Sequence, residues 1–248
     1  ELVISEGEAN LEIIVRAYKG ESFAEVEIKN YHTNITKIIK NDKCIYSKGL
    51  EEFDKNTNNK LLDELNTKSI YEFANRVSLD PLIPILDRQI KYNMEIANEG
   101  LQHNYGVNVG KTLIKTFGND VKVLAKAYPA AGSDARMGGC TLPVIINSGS
   151  GNQGLTASLP VIIYGKHLNV RKETLYRALT FSNLMAIYLK SGIGSLSAYC
   201  GVVTAACASG AAITYLHGGS YETITKTITN TLGNVSGIVC DGAKASCA

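Results

Sequence analysis

Ala24-Glu25-Val26-Glu27-Ile28-Lys29 alternates small or apolar residues with charged ones at every step. A period of two is what a half-buried strand requires, because successive side chains point to opposite sides. Leu11 to Tyr18 is a suitable partner, joined through a turn at Lys19-Gly20-Glu21-Ser22. Thr36 to Lys40 and Cys44 to Ser47 flank Asn41-Asp42, a second hairpin signal. The polar run Asp54 to Asn59 reads as a linker or loop. Beyond it the period changes. Ser69 and Glu72 have the spacing of a capping box, and Asp80-Pro81 reads as an N-cap followed by proline at the first helical position. Leu86, Ile90, Met94, Ala97 and Leu101 recur at helical spacing, and Arg171 to Lys190 is a further helix. Val202 to Leu216 is rich in small residues that suit close helix packing. Tyr221, Ile224, Ile228 and Leu232 keep a helical period through threonines that oppose it. The expected fold class is α+β. A small antiparallel β-sheet module spans 1–67, and a mostly α-helical domain spans 68–248.

Composition also changes partway along the chain. Residues 1–120 hold 34 of the 48 Asp, Glu, Lys and Arg residues, while 16 of the 23 glycines lie beyond Ala131. The front is thus a solvated module and the back a close-packed one. A net charge of +2 gives no reason to expect nucleic acid or an anionic membrane as partner. No apolar run approaches the roughly 18 residues of a membrane-spanning helix. The first ten residues are too polar for a signal peptide, so the expected location is cytoplasmic. With no initiator Met and an end one residue after Cys247, the chain reads as a segment of a longer protein.

Six cysteines without a secretory signal favour metal binding or catalysis over disulfides. Cys44 and Cys207 read as small buried apolar residues. Cys200 lies in Ala198-Tyr199-Cys200-Gly201. Cys240 and Cys247 frame Cys240-Asp241-Gly242-Ala243-Lys244-Ala245-Ser246-Cys247. Glycine and other small neighbours let backbone approach a bulky inorganic centre. Three thiolates, rather than four, are what an iron–sulfur cluster needs if one iron is to stay open for substrate.

Four segments are distinctive: Ala130 to Cys140, Leu142 to Gly154, the surroundings of Cys200, and Cys240 to Cys247. Together they resemble the alpha domain of iron–sulfur L-serine dehydratases. More closely, they resemble the branch known as L-cysteine desulfidases, which His32-Thr33-Asn34-Ile35 also matches. The resemblance covers essentially the whole chain. It implies a serine-dehydratase-alpha-like helical domain, an oxygen-sensitive [4Fe–4S] cluster and no pyridoxal phosphate. It also implies a small amino-acid substrate and a lyase reaction. L-cysteine would give sulfide, pyruvate and ammonia; the alternatives are an L-serine dehydratase or a non-enzymatic iron–sulfur module that binds an amino acid. The family's cluster ligands map onto Cys200, Cys240 and Cys247. The desulfidase-like base is a cysteine in a Gly-Cys-Thr-Glu-Pro motif that does not occur in this chain.

Other residues add to the expected site. Asn147, Ser148, Gly149 and Asn152 fall in a loop with three glycines, from Asn147 to Gly154, whose backbone N–H groups can cradle a carboxylate. Arg136 offers a bidentate fork for the same group, and Asp134 a partner for the ammonium; the alternative is an ion pair between them. Lys244 and Asp241, between two cysteines, can tune the cluster or meet substrate charge. Alternatively they are a capping acid and a solvated lysine. His32 is a candidate general acid or base. Cys140 reads as a core residue near the site, and His103, His167 and His217 as structural. Close-packed glycine-rich helices make a homodimer an expected assembly.

Overall fold

Gly20 and Asn41 sit at two reversals with φ of 62° and 51°, the left-handed region that tight hairpin turns require. Around them the chain forms β1 (Glu12–Lys19), β2 (Ser22–Lys29), β3 (Ile35–Lys40) and β4 (Lys43–Ser47). They make one antiparallel sheet in the order β1-β2-β3-β4. The structure, a computed structural model, describes residues 3–4, 11–30, 33–48, 62, 64–194, 197–240, 242, 244, 245 and 247. It divides into two compact units, Glu1–Leu61 and Leu62–Ala248. The helical unit begins ahead of 68 because Leu65 packs on its core and Asn66 caps its first helix. The Asp54 to Asn59 run lies outside the described residues.

Register sets the two faces of the sheet. Val15 lies opposite Val26, Ile13 opposite Ile28, and Val26 opposite Ile38, which gathers the aliphatic side chains on one face. The other face carries Glu25, which is buried and pairs with Arg16. The Arg16 guanidinium also lies over the Phe23 ring, 5.0 Å from its centroid. Burial here differs from the alternating pattern: Val26 and Ile28 are half-covered, and β1 is exposed along its length. Cys44 is exposed rather than buried, because it sits on β4, where every residue is exposed.

Eight helices are described in the second unit. They are α1 (Thr67–Arg76), α2 (Ile83–Gln102), α3 (Val109–Phe117), α4 (Val121–Met137), α5 (Gly151–His167), α6 (Lys172–Ser191), α7 (Val202–Leu216) and α8 (Tyr221–Asn234). The capping box of α1 lies three residues upstream of the expected one. The Asn66 side chain accepts from the Ser69 N–H, and the Ser69 hydroxyl accepts from the Asn66 N–H, so Ser69 is the third helical residue. Helix α2 does not start at Pro81. Residues 79–82 turn first, with the Leu82 N–H bonded to the Leu79 carbonyl, and Pro84 occupies the first helical turn. In α8 the threonines are accommodated: Thr225, Thr227, Thr229 and Thr231 each donate to the carbonyl four residues back.

The core is built around α5, which packs against α2, α4, α6 and α7. Leu155, Leu159, Ile162, Leu179, Phe181 and Met185 are wholly buried there. Each such side chain contributes about 1.5–3 kcal/mol through removal of apolar surface from water. Close approach of helices depends on glycine. A Cβ on Gly100 of α2 would lie 2.0 Å from the Ala131 carbonyl oxygen of α4, and one on Gly154 would lie 2.0 Å from that of Ile145. The second contact seats the loop before α5 directly on its first turn.

Candidate functional site

The site is assembled from three stretches of chain that arrive at the N-terminus of α5. The first leaves α6 and runs to Cys200; the second follows α8 and contains Cys240. They meet in an antiparallel bridge between Tyr199 and Val239. The Cys200 N–H donates to the Ile238 carbonyl and the Cys240 N–H to the Ala198 carbonyl, both at 2.7 Å. The alternation of an extended chain sends both cysteines to the face opposite Tyr199 and Val239. Tyr199 and Val239 are exposed, Cys240 is exposed as well, and Cys200 is half-buried, so this corner opens to solvent.

The third stretch is the tail. A turn closes where the Cys247 N–H donates to the Lys244 carbonyl. The Asn152 side-chain amide donates to the Cys247 carbonyl at 2.8 Å and lies 3.6 Å from its Sγ. The next residue, Gln153, fills the space beside Gly201, where a Cβ would lie 2.4 Å from its amide group. Asn152 and Gln153 thus touch the Cys247 and Cys200 segments from consecutive helical positions. Sequence reasoning passed over Gln153 and Gly201 as contacts, since nothing local marks them as neighbours.

Arg136 completes this corner. Its guanidinium donates to the Asn152 amide oxygen at 3.1 Å and lies against Gly151, where a Cβ would come within 2.3 Å of Nε. No side chain caps α5, so a guanidinium and a helix N-terminus converge on the same spot. Asp134 points elsewhere. It is buried, and its Oδ2 accepts the Gly110 N–H at 3.1 Å near the start of α3. Its Oδ1 has no hydrogen-bond partner among the described residues. Burial raises its pKa above the ordinary carboxylate range, opposed by backbone N–H groups from Val107 to Gly110. Asp134 and Arg136 therefore serve different helices instead of one ion pair. The tail reaches this area too, since a Cβ on Gly106 would lie 3.0 Å from Asp134 Oδ1 and 3.2 Å from the Ala245 carbonyl oxygen.

The expected loop from Asn147 to Gly154 is shorter in the structure. Asn147 and Ser150 pair across a tight turn whose central residues, Ser148 and Gly149, have φ of 49° and 83°. Gly151 onward is helix, including Asn152. Asn147 faces inward, donating to Asn183 Oδ1 at 3.1 Å, and the Ser148 hydroxyl donates to Asn147 Oδ1 at 2.8 Å. Asn183 and Gln89 exchange a reciprocal amide pair. Asn147 is therefore a strut for the turn. Only Asn152 of the four loop residues reaches the cysteine region through the contacts above.

Lys190 is the residue that sequence reasoning missed. It is 5% exposed at the end of α6, and its ammonium donates to the Gly194 carbonyl at 2.6 Å. Burial pushes its pKa below the usual lysine range, and the thiols of Cys200 and Cys240 oppose that shift. A signal existed: Lys190 is the one Asp, Glu, Lys or Arg between residues 178 and 221. Lys244 is exposed in the tail turn. His32 and Asp241 lie outside the described residues. Cys140 sits by Tyr105, whose hydroxyl is pushed up to about 12 by its bond to Glu99, then by burial and by Cys140. Cys207 is fully buried and far from this chemistry in character, its thiol pushed up to about 11 by burial.

Among the described residues no three Cys, His, Asp or Glu side chains are gathered closely enough to hold a metal ion, so Cys200, Cys240 and Cys247 are not drawn around one point. The donor set is nevertheless chemically suited to iron–sulfur chemistry. It comprises two thiols on one face of a bridge and a third held at the start of α5, with glycine next to Cys200 and two residues after Cys240.

Comparison with known proteins follows the same lines. No solved structure matches the chain. The chain is 58% identical over 238 residues to a UPF0597 protein of Lachnoclostridium phytofermentans, covering 96% of this chain and 57% of that one. It is 52% identical over 252 residues to a UPF0597 protein of Desulfitobacterium hafniense, covering 100% and 57%. It is 48% identical over 247 residues to one from Fusobacterium nucleatum, covering 98% and 58%. The chain thus spans somewhat more than half the length of these relatives. Residues 8–248 match the family described as serine dehydratase alpha chain. With the α+β architecture in place and the match running across both units, the chain belongs to the serine dehydratase alpha chain family.

Proposed function

We propose that the protein is an iron–sulfur-dependent lyase that eliminates sulfide from L-cysteine, giving pyruvate and ammonia. The observation that carries the reading is the pairing of Cys200 and Cys240 across one bridge, with Cys247 held at Asn152. Cys200, Cys240 and Cys247 would hold a [4Fe–4S] cluster. When bound, such a cluster supplies an open Lewis-acidic iron that stabilises charge on a departing sulfur or oxygen.

The chain's own residues would bind and orient the substrate. Arg136 and the first-turn N–H groups of α5 form a cationic corner for an amino-acid carboxylate. Asn152 links that corner to the Cys247 segment, so a carboxylate bound there would lie beside the cysteine region. The Asn147 to Ser150 turn and the Asn183–Gln89 pair hold α5 in register. Asp134 anchors the loop against which Ala245 rests, with its Oδ1 as the candidate acceptor for the substrate ammonium. Lys244 brings a positive charge to the tail turn, and His32 remains the candidate acid–base group of the first unit.

A second reading is an L-serine dehydratase using the same residues; the family description favours it. Anaerobic purification followed by iron and sulfide analysis, with sulfide release from L-cysteine and pyruvate formation from L-serine assayed side by side, tests both. The expected result is a brown protein, with sulfide release when the chain is extended to include the segment that carries the Gly-Cys-Thr-Glu-Pro base. Cys200→Ser, Cys240→Ser and Cys247→Ser should each lose the colour, and Cys207→Ala should keep it. Pyruvate from L-serine without sulfide from L-cysteine selects the second reading. A coloured protein with neither activity even at full length points to the non-enzymatic module, and a protein with no bound iron sinks all three.

A further inference from the structure

We propose that Asn93 is a positioning residue of the substrate corner, its buried amide fastening the chain that precedes α5 to the first turn of that helix, where Arg136 and Asn152 meet. The inference rests on the reading of that corner as the carboxylate site. Asn93 lies in the middle of α2 and is wholly buried, although an amide there gives up hydration that an apolar side chain would not miss. Its Oδ1 accepts the Ile145 N–H at 2.9 Å. Its Nδ2 donates to Ser158 Oγ at 2.9 Å and to the Gly154 carbonyl at 3.3 Å. The Ser158 hydroxyl donates to the same Gly154 carbonyl at 2.7 Å. One side chain therefore grips the incoming loop and the helix together.

Gly154 closes the first turn of α5, its N–H bonded to the Ser150 carbonyl at 3.1 Å, and Gly151 and Asn152 lie within that turn. Gln89, four residues before Asn93 and so on the same face of α2, reaches the loop by a second route. It exchanges amide bonds with Asn183, whose Oδ1 also accepts from Asn147. Two buried amides of α2 thus fix the loop at Ile145 and at Asn147. Between Asn147 and Ser150 the chain holds Ser148 at φ 49°, a conformation that a residue other than glycine keeps only where its surroundings impose it. An apolar side chain of similar size at position 93 would fill the space, but it would bond neither the Ile145 N–H nor the Ser158 hydroxyl. Packing alone would then set the register of loop against helix. A polar network with its partners satisfied sets it more sharply, and a fork that must meet a carboxylate needs that sharpness.

The test uses the full-length protein, reconstituted anaerobically with ferrous iron and sulfide, and whichever of L-cysteine and L-serine it turns over. Asn93→Leu removes the grip on loop and helix, and Ser158→Ala removes only the hydroxyl that joins Asn93 to Gly154. Ser182→Ala is the control: its buried hydroxyl donates to the Ala157 carbonyl at 2.6 Å, away from the first turn. Asn93→Leu should raise KM by about 10- to 100-fold, the effect of a small misplacement of a binding group, with a smaller change in kcat and unchanged iron content. Ser158→Ala should raise KM in the same direction by a smaller factor. Ser182→Ala should lower the thermal midpoint and leave KM where it was, so loss of stability alone does not imitate the expected pattern. An unchanged KM in iron-loaded Asn93→Leu overturns the inference; where that variant does not fold, an unchanged KM in Ser158→Ala does so. An equal rise in Ser182→Ala overturns it as well, since any buried hydrogen bond would then serve. If the unaltered full-length protein turns over neither amino acid, the reading of the corner itself fails, a result told apart because it appears before any substitution is made.

Discussion

Single residues separate the six cysteines into chemically different groups. Cys207 combines full burial with a thiol pushed up to about 11, two units above the ordinary value of 9.0. At neutral pH that lowers its thiolate fraction by about a hundredfold before access is considered. Because its folded pKa is the higher one, the native state disfavours the thiolate at every pH below about 11. Brief treatment of the metal-free native protein with iodoacetamide should therefore modify exposed Cys44 and Cys240 and spare Cys207 until denaturant is added; peptide mass analysis reads the outcome. Rapid native modification of Cys207 would show that α7 and α8 do not protect it. The sequence separated Cys207 from Cys200, Cys240 and Cys247 through its alanine surroundings, but misjudged Cys44. An isolated strand pattern does not reveal whether anything covers the residue.

At the scale of elements, helix packing here is governed by where glycine is indispensable and where it is incidental. Gly100 faces the backbone of α4, and a methyl group there meets the Ala131 carbonyl oxygen at 2.0 Å. Gly210, inside α7, has nothing within 4 Å of a built Cβ. Gly100→Ala should therefore destabilise the fold by about 3 kcal/mol or more through overpacking. Gly210→Ala should stabilise it by about 0.5–1 kcal/mol through helix propensity. Urea unfolding of the two variants separates them, and equal midpoints would contradict the close α2–α4 contact. Amphipathic α2 was legible because one face is apolar at a 3.6-residue period. The start of helix α5 carries no helical signal in the sequence because it is buried on nearly every side, so no period marks it, and Pro160 lies inside it.

For the whole molecule, every residue of the principal core cluster lies beyond Ser69, so the helical unit carries its own apolar interior. Produced from residue 62 onward, it should fold on its own. Circular dichroism should show a helical spectrum and one cooperative thermal transition, and a non-cooperative melt would mean that the first unit supplies essential contacts. No helix among the described residues is long and apolar enough to cross a membrane. The change in composition near residue 120 falls inside the helical unit, where few charges and many glycines accompany helices packed backbone to backbone.

Taken alone, the sequence determined the fold class, the order of sheet before helices and the family, because period and motif are local properties of the chain. Tertiary structure decided which groups meet. Cys200 and Cys240 are 40 positions apart and become neighbours through one bridge; Asn152 finds Cys247 across 95 positions; and Lys190 is buried at the end of α6. Such contacts are set by helices closing around α5, and no local spacing encodes the distance between two ends of a packed core.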